Sequence, residues 1–241
     1  MRNAERAADA IAAYPQTDLA VFPELYLGAY DFESLTDTAR PAECAELTLI
    51  ARAAARAGTA VVVGFAERGA DGRLYNSVAC IGRDGALAGI YRKTQLYDRE
   101  REVFEPGREL RVISLAGVAV APLICFDVEF PELARALAVS GAELLVTASA
   151  NMAPYAADHE LATRARSLEN HLPHLYAKTV GTIGDFQFVG CSRSVGAGGE
   201  VLAQAAGEES LLVVEVGAPG AGDESVDYLR HLPRSLPVVV S

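Results

Sequence analysis

The sequence predicts an α/β fold, and three observations carry that prediction. Alanine-rich segments of helical periodicity alternate with short runs rich in Val, Ile and Leu, as expected of sheets covered by helices. Apolar residues make up 51% of the 241 positions, enough for a core with two covered faces. The stretch 119–132, AVAPLICFDVEFPE, condenses the pattern into an apolar run, a cysteine, an acidic turn and a proline. Val118, Val120, Leu123 and Ile124 suit a buried strand, and Pro131 suits the first turn of a helix continued by Leu133, Leu137 and Val139. Cys125 then falls at the carboxyl edge of a sheet, where open α/β sheets place their ligands. Taken alone it fits a small buried thiol as well as a nucleophile.

The remaining elements follow in order. Residues 3–13 predict a helix closed by Tyr14-Pro15, and 19–22 a short strand followed by Pro23 and Glu24. Residues 41–57 predict a helix with Leu47 and Ile50 on its buried face, stopped by Gly58. Residues 59–65 are β-branched and strand-like. Asp71-Gly72 and Asp84-Gly85 are turn dipeptides bracketing a strand at 74–81, and 87–91 continues that sheet to Arg92-Lys93. The charged stretch 94–107 is a long connection, a common place for function. Further strands are expected at 143–148, 175–180, 186–192 and 211–216, with a helix at 157–171 and a glycine-rich turn, GAGGE, before the last strand. With no repeat or linker, 1–241 reads as one domain with a C-terminal arm from about residue 217 that packs on a neighbour.

Composition narrows the function. A net charge of −11 and a pI near 4.9 argue against nucleic acid and anionic membranes as partners. The opening residues lack the basic-then-apolar layout of a signal peptide, so a cytoplasmic protein is expected. Cys44, Cys80, Cys125 and Cys191 lie far apart and read as reduced thiols. His159, His171, His174 and His231 show no ligand spacing, and no metal is assigned.

Glu24, Lys93 and Cys125 each close a separate expected strand. Attack on an amide or nitrile carbon needs a nucleophile, a proton carrier and a holder for the negative charge that forms. A thiol supplies the first, a carboxylate can take its proton, and an ammonium with a backbone N–H can hold the oxyanion.

FPE at 22–24, YRK at 91–93 and ICFDVEFPE at 124–132 resemble, in order and spacing, the three signature blocks of the nitrilase, or carbon–nitrogen hydrolase, superfamily. TRARSLEN and FVGCSRSVGAGGEV resemble its downstream blocks, so the likeness spans nearly the whole chain. The resemblance implies a four-layer αββα sandwich that assembles as a homodimer or higher homo-oligomer. It implies Glu24 as general base, Lys93 as stabiliser of the tetrahedral intermediate and Cys125 as nucleophile. Glu100 is implied as a supporting second glutamate, ahead of Glu102, and the Phe126 backbone N–H as an oxyanion donor. Two departures stand out. The family usually has a strand before the helix that opens this chain, so either that strand is lacking or the start is late. Lys178 stands where the family often has asparagine, with consequences for substrate choice.

The expected function is hydrolysis of a non-peptide C–N bond in a small aliphatic amide or carbamoyl compound, through a thioester on Cys125 and without a cofactor. A nitrile substrate is the alternative within the class, and a non-catalytic truncated relative serving as a binding subunit the alternative outside it. Tyr30, Met152, Tyr155 and Lys178 are expected at the substrate pocket. Arg164, Arg166, Glu169 and Asn170 are expected in helix-end and subunit contacts, and Asp127 and Glu129 beside arginines.

Overall fold

The computed structural model describes residues 1–217 and 228–232. It opens with α1 (Arg2–Ala13), followed by β1 (Leu19–Val21), the short α2 (Leu35–Thr38) and α3 (Ala45–Ala57). Next come β2 (Ala60–Arg68), β3 (Leu74–Ile81) and β4 (Leu87–Arg92). These strands form a sheet of order β1-β2-β3-β4. β2 to β4 are an antiparallel meander because Asp71-Gly72 and Asp84-Gly85 supply its tight turns, with both glycines at positive φ. β1 lies parallel to β2 at one edge.

The second half contains α4 (Glu100–Val103), β5 (Ile113–Leu115), β6 (Val118–Ile124), a 3-10 turn at Cys125–Glu129 and α5 (Pro131–Val139). β7 (Leu144–Ser149), α6 (Ala156–Asn170) and β8 (His174–Lys178) follow. The hairpin of β9 (Val180–Ile183) and β10 (Phe186–Val189) stands apart from the second sheet, which β11 (Arg193–Val195) and β12 (Val201–Gln204) complete in the order β12-β11-β8-β7-β6-β5. β6, β7 and β8 run parallel, with α5 and α6 as their crossovers.

Burial arranges these pieces in four layers. Small residues let α1 and α3 approach closely: Ala4, Ala7 and Ile11 meet Leu47, Ile50 and Ala53 over the outer face of β2. Between the sheets, Val62, Val78, Cys80 and Tyr91 pack against Val120, Ile124, Leu144 and Val146. Outside the second sheet, Ala134, Leu137 and Ala138 of α5 cover Ala121, Leu123 and Leu145. The expected αββα sandwich is the observed one. Among the described residues no helix is long and apolar enough to cross a membrane.

Three local expectations need correction. The run 186–192 breaks into β10 and a bend in which Gly190 and Cys191 both take positive φ, so β11 begins only at Arg193. Residues 211–216 form no strand, although Leu212, Val214 and Val216 alternate with their neighbours. An apolar run becomes a strand only beside a neighbour that completes its ladder. No strand of either sheet pairs with this run, and Leu211 and Val213 stay 50% and 58% exposed. The stretch 94–107 is not structureless, since α4 sits inside it. The expected arm from residue 217 falls almost wholly outside the described residues.

Candidate active site

The site is built at strand ends, where backbone geometry aims polar side chains into one buried space. Glu24 follows β1 and lies against β2 at Gly64. A Cβ on Gly64 would stand 2.3 Å from the Pro23 carbonyl oxygen and 2.7 Å from Glu24 Cα, so only glycine allows the approach. Lys93 follows β4, its N–H bonded to the Asn76 carbonyl and its carbonyl to the Gly107 N–H. Cys125 opens the 3-10 turn after β6 with φ of 44°, a left-handed conformation that turns the chain sharply at the thiol.

Buried bonds then join Glu24, Lys93 and Glu100. Lys93 Nζ donates to Glu24 Oε1 at 2.7 Å and to Glu100 Oε1 at 2.8 Å. Asn76 Nδ2 donates to the same two oxygens at 2.7 and 3.1 Å. The Ala150 N–H, just past β7, donates to Glu24 Oε2 at 2.7 Å. Tyr97 N–H and Tyr30 OH donate to Glu100 at 2.7 and 3.1 Å. Glu24, Lys93 and Glu100 are each no more than 2% exposed, so they are partnered by one another and by protein donors rather than by hydration.

The electrostatics follow. Burial works against the Lys93 charge, but Glu100 and Glu24 outweigh it and hold the ammonium well above its usual pKa. Burial raises Glu100, opposed by Lys93. The Cys125 thiol is pushed up by burial and by Glu24, against the lowering effects of Lys93 and of a hydrogen bond with Ser149. Its proton has to leave as sulfur attacks. Cys80, buried in the inter-sheet core with no such polar set around it, is raised to about 12 by burial.

The turn carrying Cys125 is braced from both sides. Asp127, fully buried, accepts from Tyr91 OH, Thr94 OH and the N–H groups of Gln95 and Ile124. Arg166 of α6 donates to the carbonyls of Val128 and Glu129 at 3.0 Å each. The expectation for Asp127 and Glu129 is thus corrected: arginine meets the turn's backbone, Asp127 takes neutral donors, and the Glu129 carboxylate meets His159. Arg164 and Asn170 also bond within this chain, to the carbonyls of Gly199 and Arg166.

The other named residues fall differently. Glu100, not Glu102, joins the cluster; the Glu102 side chain is 68% exposed. Phe126 continues the 3-10 turn, its ring edge-on to Tyr97 and Phe130. Tyr30 is buried against Phe186 and Phe188 with its hydroxyl on Glu100. Met152 packs in that same apolar cluster, and Tyr155 is 41% exposed with its ring near Tyr97. Lys178 is buried with no hydrogen-bond partner for Nζ, and burial plus Arg193 lower it to about 8. Glu24, Tyr30, Tyr176 and Lys178 also line a groove of about 1920 Å³ that runs beside β1 to the 208–217 stretch. Sequence reasoning missed Asn76, Ser149, Tyr176 and His159. For Asn76 a signal existed: Asn76-Ser77 interrupts an otherwise apolar strand, and a buried amide there is costly unless it is bonded. Among the described residues no cluster fit to hold a metal ion is present.

Comparison with known proteins adds the family. The carbon–nitrogen hydrolase family model matches residues 1–222. An (R)-stereoselective amidase of a Pseudomonas species is 39% identical over 233 residues, covering 95% of this chain and 84% of its own. A probable nitrilase of Schizosaccharomyces pombe is 35% identical over 192 residues, 78% of this chain and 71% of its own. Among solved structures, a cysteine-to-alanine mutant of a Nesterenkonia amidase from the nitrilase superfamily superposes with a TM-score of 0.83 at 29% identity. That match covers 96% of this chain and 87% of the amidase. Likeness of sequence and of fold, both spanning nearly the whole chain, makes this protein a member of the carbon–nitrogen hydrolase family, an enzyme of the nitrilase superfamily.

Proposed function

We propose that the protein hydrolyses a small non-peptide amide or carbamoyl compound through a thioester on Cys125. The observation that carries this reading is the buried Glu24–Lys93–Glu100 cluster, held at strand ends as Cys125 is held in the left-handed turn that ends β6. Cys125 sulfur attacks the carbonyl carbon as its proton passes to Glu24. Lys93 Nζ and the Phe126 N–H hold the oxyanion. Collapse expels ammonia or an amine, protonated by Glu24, and water activated by the same carboxylate then cleaves the thioester. Glu100 keeps Lys93 charged and aimed. A Nesterenkonia relative described with the acetamide moiety of fluoroacetamide added covalently at its active-site cysteine supports a thiol that forms carbon adducts.

An amide is favoured over a nitrile because the relative at 39% identity and the Nesterenkonia structures are named amidases. The nitrilase name of the yeast relative keeps the nitrile as the second reading. Ammonia release from a panel of amides and matching nitriles, run on the parent, Cys125→Ala and Glu24→Gln, tests both. We expect turnover of amides by the parent, an acyl adduct on Cys125 visible by mass spectrometry, and losses of at least about 10³-fold in both variants. Turnover of nitriles alone would replace the amide reading, and undiminished activity in Cys125→Ala would end it.

A further inference from the structure

Four lysines and arginines are buried among the described residues: Lys93, Arg166, Lys178 and Arg193. Two of them are answered. Lys93 lies between Glu24 and Glu100, and Arg166 meets Glu169 and the carbonyls of Val128 and Glu129. The other two are not. Lys178 Nζ and Arg193 Nε and Nη1 have no hydrogen-bond partner, although their residues are only 4% and 3% exposed. One carboxylate approaches, Glu160 Oε2 at 4.0 Å from Arg193 Nη2, and its side chain is 49% exposed. A carboxylate so open to solvent neutralises little of a buried charge.

Strand register puts these two cations together. Arg193 of β11 lies opposite Tyr176 of β8, and Lys178 is two residues further along β8, so all three side chains share one face of the sheet. A diagonal pair of this kind stands about 7–8 Å apart, within reach of two long side chains. The guanidinium is 5.6 Å from the centre of the Tyr176 ring. The same register fixes the place in the fold. Ile124 pairs with Ala148 and Ser149 with Lys178, so Lys178 is level with Cys125 and two strands away, about 10 Å. Lys178 and Arg193 both line the groove of about 1920 Å³ that also reaches Glu24.

Two like charges held at this spacing without a counter-charge cost stability, and burial and Arg193 together lower Lys178 to about 8. The arrangement is unfavourable for the chain alone and favourable for an anion, which supplies the acceptors and the opposite charge at once. We propose that Lys178 and Arg193 form a binding site for a small oxyanion, the carboxylate of an organic acid or inorganic phosphate, which enters along the groove. An oxyanion suits the pair better than a halide does, because the ammonium and the guanidinium present several N–H donors in different directions and two or more oxygens answer them. Lys178 Nζ rides on a flexible four-carbon stem and turns to the ligand, whereas the planar guanidinium of Arg193 stays beside the Tyr176 ring. The site goes beyond the hydrolytic reading and does not depend on it.

Binding carries a sign with pH. An anion favours the ammonium over the amine, so it raises Lys178 from about 8 and draws a proton onto the site where the amine is part neutral. The groups that face Lys178 are Arg193 of β11, Cys191 in the bend before it, Cys125 after β6 and His159 of α6. Lys178→Met removes one titration and leaves those of its neighbours in place. Any pH dependence that disappears in this variant therefore belongs to Lys178 itself.

The test is calorimetric titration of the full chain with sodium succinate and, separately, with inorganic phosphate, at an ionic strength held constant with sodium chloride. The parent, Lys178→Met and Arg193→Gln are compared. Both carboxyls of succinate stay ionised from pH 7 to pH 9, so that arm carries the pH reading. We expect saturable one-to-one binding to the parent at pH 7, weaker by at least about tenfold in each variant. In the parent the affinity for succinate should fall by up to about tenfold between pH 7 and pH 9 as Lys178 loses its proton, and Lys178→Met should lack that fall. Saturation by succinate alone assigns the site to organic acids, by phosphate alone to phosphate, and by both to oxyanions at large; each supports it. No saturable binding of either anion by the parent, equal affinity in the parent and Lys178→Met, or a pH dependence that survives in that variant overturns it. If Arg193→Gln fails to fold, Lys178→Met decides alone, since taking away a buried unpaired charge does not weaken a fold. None of these readings needs an amide, so a failure of the hydrolase reading shows separately, as absence of ammonia release by the parent.

Discussion

Two lysines, each at or just past the end of a strand and each buried, behave in opposite ways. Lys93, past β4, is 1% exposed and held between Glu24 and Glu100, so its ammonium is stabilised far beyond its usual range. Lys178, at the end of β8, is 4% exposed and its Nζ has no hydrogen-bond partner, so burial and Arg193 lower its pKa to about 8. Depth is nearly equal, and partners differ. Burial costs a charge several kcal/mol wherever it occurs, and only opposed charge with good hydrogen bonds returns that cost. The first lysine is therefore a fixed cation, and the second loses its proton far more readily than an ordinary lysine.

Replacing Lys93 should break the contrast most severely. Lys93→Met leaves two carboxylates sharing Asn76, and should cost about 3–5 kcal/mol in urea unfolding with turnover down at least about a hundredfold. Gly64→Ala should come next, because the added methyl meets the Pro23 carbonyl at 2.3 Å and pushes Glu24 from its partners. About 3 kcal/mol of stability, the upper range for overpacking, and most of the activity should be lost together.

Lys178→Met should act in the other direction. The folded pKa of about 8 lies below the usual 10.5 of a lysine, so the unfolded chain binds the proton more tightly. The penalty is full below pH 8 and disappears as pH rises through 10.5. Unfolding at pH 7 should show the variant more stable than the parent by about 2 kcal/mol, with the gain gone above pH 10.5. No gain at pH 7 would mean that the amine finds a partner in solution.

His174 extends the comparison to a base that stays neutral. It is fully buried on Thr147 Oγ1 at 2.7 Å and lowered by burial from 6.5 to about 4. The unfolded chain takes up this proton first, so stability is complete above pH 6.5 and declines as pH falls toward 4. An acid titration of urea midpoints should show this as about 1–2 kcal/mol, and His174→Gln should flatten that part of the slope.

The order of helices and strands was legible because each buried face imposes its own period. The Asp71-Gly72 and Asp84-Gly85 turns and the Gly58 stop were legible because few residues accept left-handed backbone. Residues 211–216 misled for a related reason: local pattern reports that a run can be a strand, while a neighbour's backbone decides whether it becomes one. The site divides similarly. Glu24, Lys93 and Cys125 stood out as chemistry-bearing groups at strand ends. Ser149, Tyr176 and His159 did not, because a serine, a tyrosine and a histidine drawn from β7, β8 and α6 look ordinary until the fold stacks them within 3 Å of one another.

The amino-acid sequence by itself determined the layered α/β architecture and the family, since periodicity and residue type are local properties. The tertiary structure alone decided which of the two buried lysines is held by opposite charges, which glutamate joins the cluster, and which side chains Tyr176 meets. Those outcomes depend on distances between side chains far apart along the chain, and Coulomb energy and hydrogen bonding are set by distance and burial rather than by order in sequence.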